Sequence, residues 1–128
     1  MVPSSTELIL DRLNHSKFRS RFTLHEKERK YLIDKGLDKI IEHATDFINQ
    51  RLAPAFPKND GKQTPWKGHP VFIAQHATAT CCRSCLEKWY KIQKGQALTQ
   101  TEKDFILDLI KAWIKRDYQT HQSVKKHS

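Results

Sequence analysis

Residues 99–118 read TQTEKDFILDLIKAWIKRDY, and this stretch decides the fold class. Phe105, Ile106, Leu109, Ile110, Trp113 and Ile114 recur at intervals of three and four, which lines them along one side of an α-helix. Thr99 and Glu102 stand before them as a capping box, so the helix has a written start as well as a buried face. A stripe this continuous needs apolar partners. Leu37, Ile40, Ile41, Ala44, Phe47, Ile48 and Leu52 supply them at the same spacing, and Pro54 ends that second helix.

Working outward, Thr23–Glu26 reads as a further capping box, opening a helix that should stop at Gly36. Ser4–Glu7 reads as another, before a short helix carrying Leu8, Ile9 and Leu13. Between them, His15–Phe22 (HSKFRSRF) reads as a basic connector anchored by its two phenylalanines. Ala55–Gly68 (AFPKNDGKQTPWKG) is rich in turn formers and reads as a loop. His69-Pro70 suits a helix start, although Val71-Phe-Ile is equally compatible with a short strand. A break is expected at Thr78-Ala-Thr80, with Thr80 capping a helix from Cys81 to Ile92 that ends at Lys94-Gly95. The expectation is a mainly α fold, a compact bundle of about five helices with one long irregular basic loop and a Cys/His-rich helix start. Residues 1–118 are expected to form one domain, and the polar segment 119–128 reads as a disordered tail.

With 128 residues, 38% of them apolar, the chain suits one modest core. No apolar run is long enough to span a membrane, and MVPSSTELIL lacks the basic start and apolar stretch of a signal peptide. A cytoplasmic protein is expected. The net charge is +9, and the excess sits in residues 14–30 and 55–95. That distribution suits nucleic acid or another anionic partner, and equally a plain solvated basic surface.

The reactive residues cluster in Gly68–Tyr90, GHPVFIAQHATATCCRSCLEKWY. On a helix Cys82 and Cys85, or Cys81 and Cys85, share a face, and a Cys-x-x-Cys at a helix start can chelate a soft cation. His76 and His69 lie just upstream as further donors, so zinc is the expected ion, with iron second. Two other readings remain open. Cys82, Cys85, Leu86, Trp89 and Ile92 also make a helical stripe of ordinary buried residues. Alternatively a reactive thiol, Cys82, would use His76 as base, with Arg83 lowering its pKa or holding an anion. Those three residues are the catalytic candidates.

Familiar enzyme templates do not fit. A zinc deaminase needs His-x-Glu and a distant Pro-Cys-x-x-Cys, and a C2H2 finger needs two histidines after its cysteines. Residues 60–95 hold only Asp60 and Glu87 as carboxylates, which argues against a two-metal nuclease. For anion or nucleic-acid binding the candidates are Lys58, Lys62, Gln63, Trp66, Lys67, Arg83 and Lys88, joined by Lys91 and Lys94. Lysines would neutralise phosphates and Trp66 could stack on an unpaired base. No helix shows a base-reading layout, so contacts to the nucleic-acid backbone would dominate.

The blocks LDRLNHSKFRSRF, RLAPAFPKNDGKQTP and GHPVFIAQHATATCCRSCLEKW, with the later KG-x-x-LT turn, resemble a small bacterial and phage-associated family, domain of unknown function 4186. The resemblance runs over roughly Leu10–Ile114 and implies that Gly68–Trp89 is the signature region. It implies a histidine after that tryptophan, where this chain has Tyr90, and it carries no reaction. Three functions follow from the residues: a zinc-binding helical module engaging a polyanion, a small enzyme with a Cys/His or metal–water site, or an interaction protein with buried cysteines.

Overall fold

The structure is a computed structural model that describes residues 5–59 and 61–126, with side chains through Thr120. Among them are seven α-helices and no strand: α1 (Ser5–Asn14), α2 (Lys17–Ser20), α3 (Glu26–Lys35), α4 (Leu37–Phe47), α5 (Pro70–Ala77), α6 (Arg83–Tyr90) and α7 (Gln100–Lys126). A π-helical turn, Ile48–Leu52, continues α4. No helix among the described residues is long and apolar enough to cross a membrane.

The long stripe of α7 packs against α1, α4 and α5, burying Ile106, Leu109, Ile110 and Ile114. Ile40, Ala44, Ile48 and Leu52 answer from α4 and its π turn. The Thr99 capping box forms as read: Glu102 N–H donates to the Thr99 hydroxyl at 3.1 Å, and Thr99 N–H to the Glu102 carboxylate at 2.9 Å. The second box shifts by two residues. His25 N–H donates to Glu28 at the start of α3, while Thr23 and the Leu24 N–H both reach Asp117 on α7. Docking the loop onto α7 therefore overrides the local cap. The Ser4 box lies outside the described residues. Gly36, at φ 82°, ends α3 in a backbone region that side chains with a Cβ avoid.

Helix α5 sits in the middle of the molecule, touching α2, α3, α4 and α7. Every residue of it except Phe72 is buried. A helix covered on all sides shows no amphipathic stripe, which is why its short apolar run reads equally well as a strand. The basic connector contains the single turn α2, where Arg19 is buried and Phe18, 40% exposed, packs edge-on against Phe22. Helix α6 begins two residues later and ends sooner than expected. Thr80 is used in the preceding turn, Cys82 is the N-cap, and Lys91 closes the helix in the left-handed region. Helix α7 continues through Lys126, beyond the Tyr118 boundary expected, and residues 127–128 lie outside the described residues.

Candidate metal centre

The break between α5 and α6 builds the site. Ala79 turns the chain at φ 59°, and Thr80 N–H donates to Gln75 O while the Gln75 side-chain amide donates back to Thr80 O. The Thr78 hydroxyl donates to Ala74 O, and the hydroxyl of the half-buried Tyr90 donates to Thr78 O. These polar groups of the buried reversal find their partners within it, so its conformation is closely specified. The turn delivers Cys81 and Cys82 just ahead of α6 and faces them toward Cys85 inside its first turn.

The three sulfurs lie within 4.8 Å of one another, with Cys82 Sγ 3.4 Å and Cys81 Sγ 3.6 Å from Cys85 Sγ. A disulfide would need about 2.05 Å. Thiolates around one tetrahedral zinc, at about 2.3 Å each, stand roughly 3.8 Å apart. The cluster is close to that spacing and can hold a metal ion.

The cation beside the sulfurs is Arg19, a residue read from the sequence as part of a connector. Its Nη2 donates to Cys85 Sγ at 3.2 Å, and Nη1 to Cys81 Sγ at 3.8 Å and to His76 O at 2.7 Å. Burial alone would lower the guanidinium, but its bonds to Cys85 and Cys81 outweigh that and hold it fully charged. The hydrogen bond from Cys81, against the opposing effect of burial and helped by Cys82 and Arg19, pulls the Cys85 thiol down to about 5. Cys81 is pushed up by donating to Cys85 and by burial, and Cys82 by burial first. Cys85 is thus the sulfur of the three that gives up its proton most readily, with Arg19 beside it.

His76 packs beside it. Its Nε2 lies 3.2 and 3.1 Å from the carbonyl oxygens of Thr64 and Pro65. Carbonyls only accept, so Nε2 carries the ring proton and Nδ1 is bare. Nδ1 is buried without a hydrogen-bond partner. Burial, the largest influence on the ring, lowers its pKa, keeping it neutral. An N–H donated to a backbone carbonyl with the other nitrogen free is the usual state of a metal-ligating histidine. His76 stands outside the group of three sulfurs, and no hydrogen bond joins it to a thiol among the described residues.

Two sequence candidates are placed elsewhere. His69 caps α5: its Nδ1 accepts from Val71 N–H at 3.1 Å and its Nε2 faces His43 Nδ1 at 3.0 Å, so both nitrogens are taken. It lies among Tyr31, Phe47 and Phe72, away from the sulfurs. Arg83 neither touches a thiol nor faces solvent. Only 1% exposed, it donates to four carbonyls, those of Leu52, Pro54, Gln93 and Gln96, at 3.2, 2.7, 2.9 and 2.6 Å. Spacing along the chain does not separate either position from the residues that do converge.

Burial, with a smaller contribution from His43, drives His69 down to about 4 from an ordinary 6.5. A proton on Nδ1 would also confront the Val71 N–H. Between pH 6.5 and 4 the unfolded chain binds a proton here that the folded chain refuses, so this residue makes stability fall as pH drops through that window. His69→Asn keeps a capping acceptor and removes the titration. Denaturant melts should show the variant gaining on the wild type by about 2 kcal/mol between the ends of the window. Parallel pH profiles would remove His69 as the acid-sensitive group.

Lys58, Lys62, Gln63 and Trp66 line one cleft of about 840 Å³ together with Arg51, His76 and Cys81. Lys67 and Lys88 are exposed outside it. The loop is tied to the cysteine turn by the Thr64 hydroxyl, which donates to Cys81 O at 2.7 Å, and by His76. Arg51 carries no sign of this role in the sequence, because it ends a core helix and only the π turn brings it to the cleft.

No solved structure matches the chain. A family model, Domain of unknown function (DUF4186), matches residues 7–115, a span that takes in Arg19, the basic loop, all three cysteines and most of α7. The chain belongs to that family.

Proposed function

We propose that this protein is a zinc-binding helical module whose basic loop engages an anionic partner, nucleic acid in particular. The observation that carries the metal is the trio of sulfurs, Cys81 and Cys82 standing 3.6 and 3.4 Å from Cys85, with Arg19 bonded to two of them. Three thiolates around a divalent ion leave one net negative charge in a mostly buried place. Buried charge needs a partner, and the Arg19 guanidinium is that partner. In this reading Cys81, Cys82 and Cys85 are ligands, and His76, which stands outside the sulfur group but has a bare Nδ1, would move onto the ion as the fourth donor. Four such donors would close the site and give it a structural role: the ion would join the end of α5 to the start of α6, with Arg19 of α2 bonded to the sulfurs from outside the coordination sphere.

The anionic partner is supported by the cleft, whose described lining carries Arg51, Lys58 and Lys62 and no carboxylate. The enzyme reading finds less there. His76, the imidazole on that wall, is buried and already directs its proton at two carbonyls.

The deciding experiment is elemental analysis of untagged protein purified without added metal, paired with a thiol titration. About one zinc per chain, with thiols that react only after a chelator is added, is the expected result. Iron in place of zinc would correct the ion. No metal, with thiols that titrate freely, would overturn the reading and leave Cys85 as a reactive thiol. For the anionic partner, retention on heparin should fall with salt and weaken in Lys62→Gln/Lys67→Gln.

A further inference from the structure

We infer that the cleft beside the cysteines is a binding site for single-stranded nucleic acid, with one base laid on Trp66 and neighbouring phosphates on Arg51, Lys58 and Lys62. This deepens the anionic-partner reading and rests on it.

Trp66 points most directly to such a ligand. Trp66 is 61% exposed and stands 6.3 Å, ring to ring, from Phe18, itself 40% exposed, so it belongs to an exposed aromatic patch and is not a single stray side chain. Its ring is not loose. It stacks on His76 at 4.0 Å with an interplanar angle of 8°, and Phe22 lies nearly parallel at 6.1 Å. The Pro65 carbonyl next to it accepts from His76. The indole is thus held in place before any ligand arrives, which lowers the ordering cost of binding. A flat, exposed, fixed aromatic suits another flat ring.

The cations share the cleft with that ring. Lys58 and Lys62 come from the loop, where Lys62 N–H closes a turn onto Asn59 O. Arg51 comes from the π turn and rests over Phe47 and Phe72, 4.9 and 5.4 Å from their ring centres. Asp60 lies outside the described residues. The exposed amides of Gln50 and Asn59 complete the wall and can pair with base edges. A duplex keeps its bases stacked on each other, so it cannot offer one to Trp66, whereas a single strand can. A purely acidic protein surface would leave the indole unused.

The cleft shares its floor with the metal centre. Cys81 belongs to both, His76 lines the cleft beside it, and Thr64 joins the loop to Cys81. Removing the ion should therefore weaken nucleic-acid binding even though no base touches the metal.

The test is fluorescence anisotropy with a short labelled oligodeoxythymidylate and a duplex of equal length, using metal-loaded protein. The single strand should bind more tightly than the duplex. Trp66→Ala should weaken it by about tenfold or more, and Trp66→Phe should retain most of the affinity. In Arg51→Gln/Lys58→Gln, made on exposed side chains, the log–log salt slope should flatten by about 0.7 for each phosphate no longer neutralised. This second variant keeps the test valid should Trp66→Ala lower the melting temperature. Equal affinity for duplex and single strand, with Trp66→Ala and Arg51→Gln/Lys58→Gln unchanged and Lys67→Gln/Lys88→Gln, exposed outside the cleft, weakened, would overturn the cleft while sparing the general anionic partner. Absence of binding to either oligonucleotide and to heparin would overturn both.

Discussion

On the proposed zinc reading, Cys85→Ser is expected to reduce zinc to near zero per chain and to destabilise the protein by about 4 kcal/mol or more, the largest effect of any single substitution in the site. Cys85 is the sulfur on which the others converge: Cys81 and Cys82 both point at it, and Arg19 makes its shorter sulfur contact there. A serine oxygen is a poor ligand for zinc and too short to span the same distances. Loss of a bound ion would unfasten the end of α5 from the start of α6, and loss of the Cys85 sulfur leaves the buried Arg19 with fewer partners. For a domain of this size the loss corresponds to a fall in melting temperature of roughly 15 °C. Circular dichroism melts with metal analysis on the same samples check it. Ser84→Ala, one residue away and exposed, serves as control. A Cys85→Ser protein that keeps its zinc, or melts with the wild type, would sink the structural-metal reading.

Arg83→Met is expected to cost a similar amount by a different route. The guanidinium is buried and joins the end of the π turn, through the Leu52 and Pro54 carbonyls, to the segment after α6, through those of Gln93 and Gln96. Methionine fills much of the volume but donates nothing, leaving four carbonyls to find water. At about 1–3 kcal/mol for each group left unsatisfied, and with partial rehydration, a net loss of about 4 kcal/mol follows. Arg83→Lys should recover only part, because an ammonium lacks the planar fork that reaches both pairs at once. Urea midpoints supply the measurement, and zinc content in the folded fraction should be unchanged. That last point separates this variant from Cys85→Ser. An Arg83→Met protein of normal stability that fails to bind oligonucleotide would instead restore the anion-binding role suggested by the sequence.

The two arginines mark how far local sequence carries. Arg83 lies between Cys82 and Cys85 and looks like the cation of a thiol site. Arg19, some sixty positions away in the chain, looks like one of several charges in a basic connector. The fold exchanges their roles. The first turn of α6 sends residue 83 inward, toward the carbonyls of residues 52 and 54, while α2 lays residue 19 across the sulfurs. Nothing in local spacing distinguishes them, because each role depends on which backbone lies opposite. His69 fails for the same reason. Its cap position before Pro70 is legible, yet what occupies its second nitrogen is His43, from another helix.

The helical class, the α4 and α7 stripes, the Thr99 cap, the break after α5 and the gathering of reactive residues in 60–95 are all legible in the chain, because each is written in residues a few positions apart. Periodicity, caps and turns are local physics, and three cysteines within five positions cannot avoid proximity. The three-dimensional packing was needed to make α5 a buried central helix, to turn Arg19 toward the thiols, to leave a bare nitrogen on His76, and to bring Arg51 to the basic loop beside Trp66. Those facts rest on contacts between segments distant in the chain, where burial removes water as a partner and each buried donor, acceptor and charge must be satisfied by whatever the fold brings to it.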